Sequence, residues 1–276
     1  MKNILRIPLT VFLLGTLVSF QIGCKKEEQA PKAADSAKSV SQAPAPSGTV
    51  TLNDKAKQGQ LLFYNTSLGK RKVACANCHT DGTPKTSDDM IRQGHPLAGV
   101  TSRPSTWNGM YKGADLKKNA YGASLCAAVF QHRADSKTVD KALTPDEVDA
   151  LNEYLTAIAT LPSANPSELK IQWAAKPTFN DDMPDEKIAK PVVKAIMKLP
   201  GDAKTGETVF AKSCATCHSM KDKKVGPPME RAAQDMNLVA QAVRFGSGDM
   251  PFYAKDVMSD QQIADALAYI GSQLGN

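Results

Sequence analysis

Apolar positions change their spacing along this chain, and each change marks a different kind of segment. From Ile7 to Phe20 they are almost continuous, a run shorter than the ~20 residues a helix needs to cross a bilayer. From 25 to 50 they nearly vanish among Lys, Ala, Ser and Pro. From about 51 onward they recur at helical spacing. Gly59 and Phe63 fall on one helix face, as do Gly206 and Phe210. Thr144-Pro145-Asp146-Glu147 is a capping box with proline at the first helical position. It opens a stripe of Val148, Leu151, Leu155 and Ile158. Ser259-Asp260-Gln261-Gln262 opens a second stripe of Ile263, Leu267, Ile270 and Leu274. Tyr154-Leu155 in the first stripe answers Tyr269-Ile270 in the second. Between them, Pro162 to Pro200 holds six prolines and little periodicity, which reads as a linker. The pattern predicts an all-α chain without substantial sheet, a helical plan used twice. The first unit covers 51–163, the linker 164–199 and the second unit 200–276.

Composition sharpens this picture. Hydrophobic residues at 42% and charged residues at 22% describe a chain that is globular in bulk. Aromatics at 6% are thin for a large all-protein core. A net charge of +6 is no basic stripe for nucleic acid. At the N-terminus, Lys2 and Arg6 precede the apolar run, and Gln21-Ile22-Gly23-Cys24 follows it. A small residue before that cysteine resembles the lipobox of bacterial lipoproteins, with Gln21 where leucine is usual. The resemblance implies a signal peptide over 1–23 and a lipid on Cys24. Residues 24–50 then read as a disordered tether. The expected location is outside the cytoplasm, membrane-anchored and facing the periplasm or the cell surface.

Two motifs carry the chemistry: Cys75-Ala76-Asn77-Cys78-His79 and Cys214-Ala215-Thr216-Cys217-His218. The CxxCH spacing is the attachment signature of c-type haem, with two thiols for the vinyl groups and an adjacent imidazole for the iron. Four cysteines around one zinc would be the competing use, but zinc does not ask for a histidine after each pair. The expected cofactors are two covalent haems on Cys75, Cys78, Cys214 and Cys217, with iron on His79 and His218. A macrocycle also supplies the apolar bulk that the aromatics do not.

Residues 200–276 run helix, CxxCH, Val225-Gly226-Pro227-Pro228 turn, Gly248-Asp249-Met250-Pro251 loop and terminal helix. This order resembles a small class I cytochrome c, which implies Met250 as the distal ligand. Met229, beside the Gly-Pro turn, and Met258 are the competitors, and Met229 reads as core. For the first motif several distal ligands remain open. Cys126 lies 47 residues past His79 and has no evident disulfide partner. Its placement resembles the cysteine-ligated haem domain of thiosulfate dehydrogenases and of the Sox haem subunit, which implies a distal thiolate. His95 follows Gly94 at a spacing that resembles the first domain of dihaem peroxidases. His132 and Met110 complete the set, and a buried inert thiol is the other use for Cys126.

Two functions follow. One is electron transfer between redox protein partners, with Lys221, Lys223 and Lys224 as a docking patch. The other is oxidation of a sulfur oxyanion at the first haem, with Arg103 or Arg133 holding the anion.

Overall fold

A computed structural model describes residues 50–82, 90–133, 136–175 and 184–275. The expected signal peptide, Cys24 and the tether up to residue 49 lie outside the described residues. Among the described residues ten α-helices run in order: α1 Asp54–Tyr64, α2 Cys75–Cys78, α3 Ala114–Lys118, α4 Ala123–Val129, α5 Pro145–Ile158, α6 Glu186–Ile196, α7 Ala203–Val209, α8 Met229–Ala232, α9 Met236–Phe245 and α10 Asp260–Leu274. The described sheet is one antiparallel pair, β1 Ser105–Thr106 and β2 Tyr111–Lys112. Among the described residues no helix is long and apolar enough to cross a membrane.

The helix starts follow their caps. Thr144 Oγ1 accepts from Glu147 N at 3.3 Å, and Glu147 Oε2 accepts from Thr144 N at 2.8 Å. Ser259 and Gln262 repeat the exchange at 3.1 and 2.9 Å, so α5 and α10 both begin on reciprocal boxes. Asn53 and Asp202 cap α1 and α7 by accepting from Ala56 N at 2.7 Å and Thr205 N at 2.6 Å.

Each terminal helix then crosses a partner at a glycine. Gly59 on α1 meets the Ala150 carbonyl and Tyr154 of α5. Gly206 on α7 meets the Asp265 carbonyl and Tyr269 of α10. The closest neighbour in each case is backbone, so a Cβ would have nowhere to go. Phe63 packs on Tyr154 and Phe210 on Tyr269, with ring centroids 5.8 and 5.6 Å apart. Tyr154 donates from its hydroxyl to buried Asp81 at 2.5 Å, alongside Tyr64 at 2.7 Å.

Apolar burial forms separate cores. Phe63, Val100, Tyr154, Leu155 and Ile158 centre the first, with a satellite around Leu125, Leu143 and Leu151. Val209, Phe210, Val243, Ile263 and Ile270 centre the second. The segment read as a linker is more than that. Ala189, Val193 and Ile196 give α6 a buried face, and Val193 and Ile196 join the second core. Pro184 and Pro191 hid this face, because they break the periodicity that would reveal it. Earlier in the same segment the chain straps the first core. Asn165 N donates to Ala98 O at 2.9 Å, and Asn108 and Ile171 exchange hydrogen bonds at 3.2 and 3.0 Å.

Candidate functional site

The single turn α2 places the Cys75 and Cys78 thiols on one side, three residues apart, and His79 follows as the turn ends. All three line one cavity, which is otherwise mostly apolar, with Phe63, Leu97, Val100 and Leu155 in its wall. In the second half α7 runs into a wider turn, in which Ala215 N reaches back to Phe210 O at 3.0 Å. That turn delivers Cys214, Cys217 and His218 to a second cavity walled by Val239, Val243, Ile263 and Leu267. Val73, Cys78, Gln93, Phe130 and Pro251 line both cavities, so the two share a wall.

The two histidines are held in the same way. His79 Nδ1 lies 2.8 Å from His95 O, and His218 Nδ1 lies 2.9 Å from Pro227 O. A carbonyl only accepts, so each Nδ1 carries the proton and each Nε2 keeps a lone pair for a metal. Burial, aided by the Arg103 and Arg92 cations, pushes the His79 pKa below its ordinary value and keeps that ring neutral. Gly94 lies against the His79 ring and Gly226 against the His218 ring, where a Cβ would overlap imidazole atoms. Backbone bonds fix both loops. Gly94 N donates to Cys78 O at 2.9 Å and Gly226 N to Cys217 O at 2.8 Å. Leu97 N donates to Thr80 O at 2.8 Å and Met229 N to Ser219 O at 2.9 Å. Gly94-His95-Pro96 is therefore the counterpart of Gly226-Pro227-Pro228.

This equivalence corrects one expectation. His95 belongs to the loop that braces His79 from its Nδ1 side, and its own Nε2 is 2.9 Å from Asp256 Oδ2. It is not placed as a distal ligand. His132 is exposed past the end of α4, and Met110 is 42% exposed in its turn; neither lines the cavity. Cys126, on α4, lines it together with Cys75, Cys78 and His79. Burial pushes the Cys126 thiol well up, and the nearby Cys75 and Cys78 add to the shift. Cys75 and Cys78 are themselves pushed up to about 11 and about 12, chiefly by burial. Among the described residues no three His, Cys, Asp or Glu side chains converge to hold one ion, so the single four-cysteine zinc site is not built.

The two arginines also separate. Arg133 pairs with Glu147 at 2.9 Å, away from the cavity. Arg103 lines the cavity, is 6% exposed, and donates to Asn165 O at 3.0 Å and Pro96 O at 2.9 Å. Thr106 Oγ1 and Gln131 Oε1, on residues of the same wall, are buried without a hydrogen-bond partner.

Met250 lines the second cavity on a loop whose Ser247 and Met250 exchange backbone bonds at 3.0 and 2.9 Å. Gly246 and Gly248, with φ of 82° and 54°, allow that turn. Met229 and Met258, at 5% and 1% exposure, also border this cavity but are packed into the second core. Sequence reasoning missed Arg244. This fully buried cation donates to Tyr253 O at 2.7 Å, Met258 O at 2.9 Å and Asp260 Oδ1 at 2.6 Å, clamping the end of the loop. An arginine between Val243 and Phe245 gives no signal of this in the sequence. Lys221, Lys223 and Lys224 are exposed close behind His218.

A thiol pair one turn apart, a neutral imidazole with Nδ1 tied down, a glycine against its ring and apolar walls together fit a covalently attached haem. Comparison with known proteins agrees. The family described as "Cytochrome C oxidase, cbb3-type, subunit III" matches residues 201–270. A protein of Synechocystis described as "Cytochrome c-553-like" is 31% identical over 84 residues, covering 29% of this chain and 77% of that protein. No solved structure matches. A c-type domain implies covalently bound haem c and supports a role in electron transfer, and on these grounds the chain belongs to the c-type cytochromes.

Proposed function

We propose that this is an exported dihaem cytochrome c, tethered to a membrane by lipid on Cys24, that passes electrons between redox protein partners. The observation that carries the count of two is the duplicated brace around His79 and His218, down to the same backbone bonds. Each haem supplies a one-electron iron couple. Cys75 and Cys78 anchor the first and His79 ligates it; Cys214, Cys217 and His218 do the same for the second. Cys126 and Met250 would complete the two ligand sets: Cys126 lines the first cavity while His95 is engaged in the brace, and Met250 lines the second from a loop while Met229 and Met258 are packed into the core. A thiolate is the stronger electron donor and lowers its centre's potential, while a thioether raises it. With haem held at both sites, this order would favour entry of electrons on the His79 side and exit on the His218 side, and the wall the two cavities share would keep the distance short. Lys221, Lys223 and Lys224 steer an acidic acceptor to that exit.

A second reading has one observation behind it. Among the described residues Arg103 donates to carbonyl oxygens, so its charge is left to balance an anion in the first cavity. A haem propionate serves in a carrier. A sulfur oxyanion beside Cys126 would make the protein a thiosulfate dehydrogenase-like enzyme.

Intact mass and pyridine haemochrome titration of the purified protein should give two haems per chain; one haem would end the dihaem reading. Low-temperature EPR should show a low-spin thiolate signal that disappears in Cys126→Ala. Reduction of the oxidised protein by thiosulfate, lost in Arg103→Gln, would favour the enzyme.

A further inference from the structure

The loop that carries Met250 is fastened at two points to the first core. Asp249, next to Met250, pairs with Arg71. Arg71 lines the second cavity, and its own N–H donates to Gln131 O at 3.3 Å. Six residues past Met250, Asp256 meets the His95 ring at 2.9 Å. His95 is the residue whose carbonyl takes the His79 Nδ1 proton. Between the two ties, Pro251 and Phe252 reach the wall of the first cavity, and Phe252 packs edge-on against Trp173 at 6.2 Å.

Within its own core the loop is held unevenly. Arg244 grips Tyr253 and Met258, both on the far side of Met250. Ahead of Met250, among the described residues, the local support is the bond from Gly246 N to Ala242 O at 2.9 Å that ends α9, the Ser247 exchange, and two glycines in the left-handed region. A loop with few internal bonds opens at low cost. Arg71 and His95 supply what it lacks, one on either side of Met250.

We propose that Arg71 and His95 are positioning residues for the sulfur ligand of the second centre, so that the first core completes the ligand set of the second. This rests on Met250 as a ligand, part of the function proposed above. Coupling of this kind is reciprocal. A shift of the loop pulls, through Asp256, on the residue that orients His79.

The test uses the full-length, haem-loaded ferric protein. Imidazole displaces a methionine ligand at a rate limited by loop opening, read as loss of the near-infrared sulfur-to-iron band. Arg71→Gln and His95→Leu should each speed displacement about three- to fivefold, as expected for losing one partly exposed tie, and the double variant more. Arg71→Lys should restore most of the slow rate, which a general loss of fold would not allow. Asp256→Asn, a change in the second half, should raise the midpoint potential of the centre holding His79. Unchanged displacement rates in both single variants, with the band present, would overturn the inference. Absence of the band in the unaltered protein would instead remove Met250 as a ligand.

Discussion

The two cysteine motifs share one brace and differ in what faces them. On the imidazole side, Gly94-His95-Pro96 and Gly226-Pro227-Pro228 make the same contacts. The first cavity is also lined by a thiol from helix α4, and the second by a thioether from a loop. A helix fixes its side chain by its own backbone bonds, and a loop has to borrow support. The part that must be identical, the orientation of a histidine, is built from backbone. The residues proposed as distal ligands are held in two different ways.

The largest test removes the shared part. Gly94→Ala should abolish imidazole ligation at the first centre and Gly226→Ala at the second, each leaving the histidine of the other centre in place. Haem content and the Soret spectrum of the two variants check this. If Gly94→Ala disturbed neither, the equivalence of the two loops would fall. Cys126→Met makes the two distal sides alike. It should raise the first centre's potential by an appreciable part of the ~0.8 V range that axial ligands span, seen in a spectroelectrochemical titration as two waves drawing together. Gly59→Ala and Gly206→Ala push a methyl into backbone at each helix crossing. Each should cost about 1–3 kcal/mol of overpacking in chemical denaturation.

The smallest test lies in the caps. Thr144→Ala and Ser259→Ala should each cost about 1 kcal/mol, yet their acid responses should differ. Burial alone would raise the Glu147 carboxyl, but the bonds from Arg133 and Thr144 outweigh it and hold its pKa below the usual carboxylate value. Its contribution is complete above the unfolded pKa and fades as pH falls through the lowered folded value. Gln262, the counterpart in α10, does not titrate. Acid melting should therefore weaken the first core through a step that Glu147→Gln removes.

The sequence was most readable where local chemistry repeats. Both cysteine motifs, both capping boxes and both glycine crossings stand out because each depends on a few neighbours. Reading failed where function rests on partners far along the chain. His95 looked like a ligand because Gly94-His95 falls at a spacing that resembles a dihaem peroxidase domain, whereas its carbonyl contact and its tie to Asp256 are invisible in one dimension. Arg244 went unnoticed because a buried arginine is defined by the carbonyls it finds, here 9 and 14 residues away. The α6 helix was hidden by its prolines. Glycine before Met250 and proline after it mark a loop in the sequence, and that loop does carry Met250 to the wall of the second cavity.

Cys78 stands in the wall of both cavities. Cys75 lines the first cavity alone, and Cys214 and Cys217 the second alone. A group attached to the Cys78 sulfur would therefore become part of the partition itself, so that filling the first site would also reshape a wall of the second.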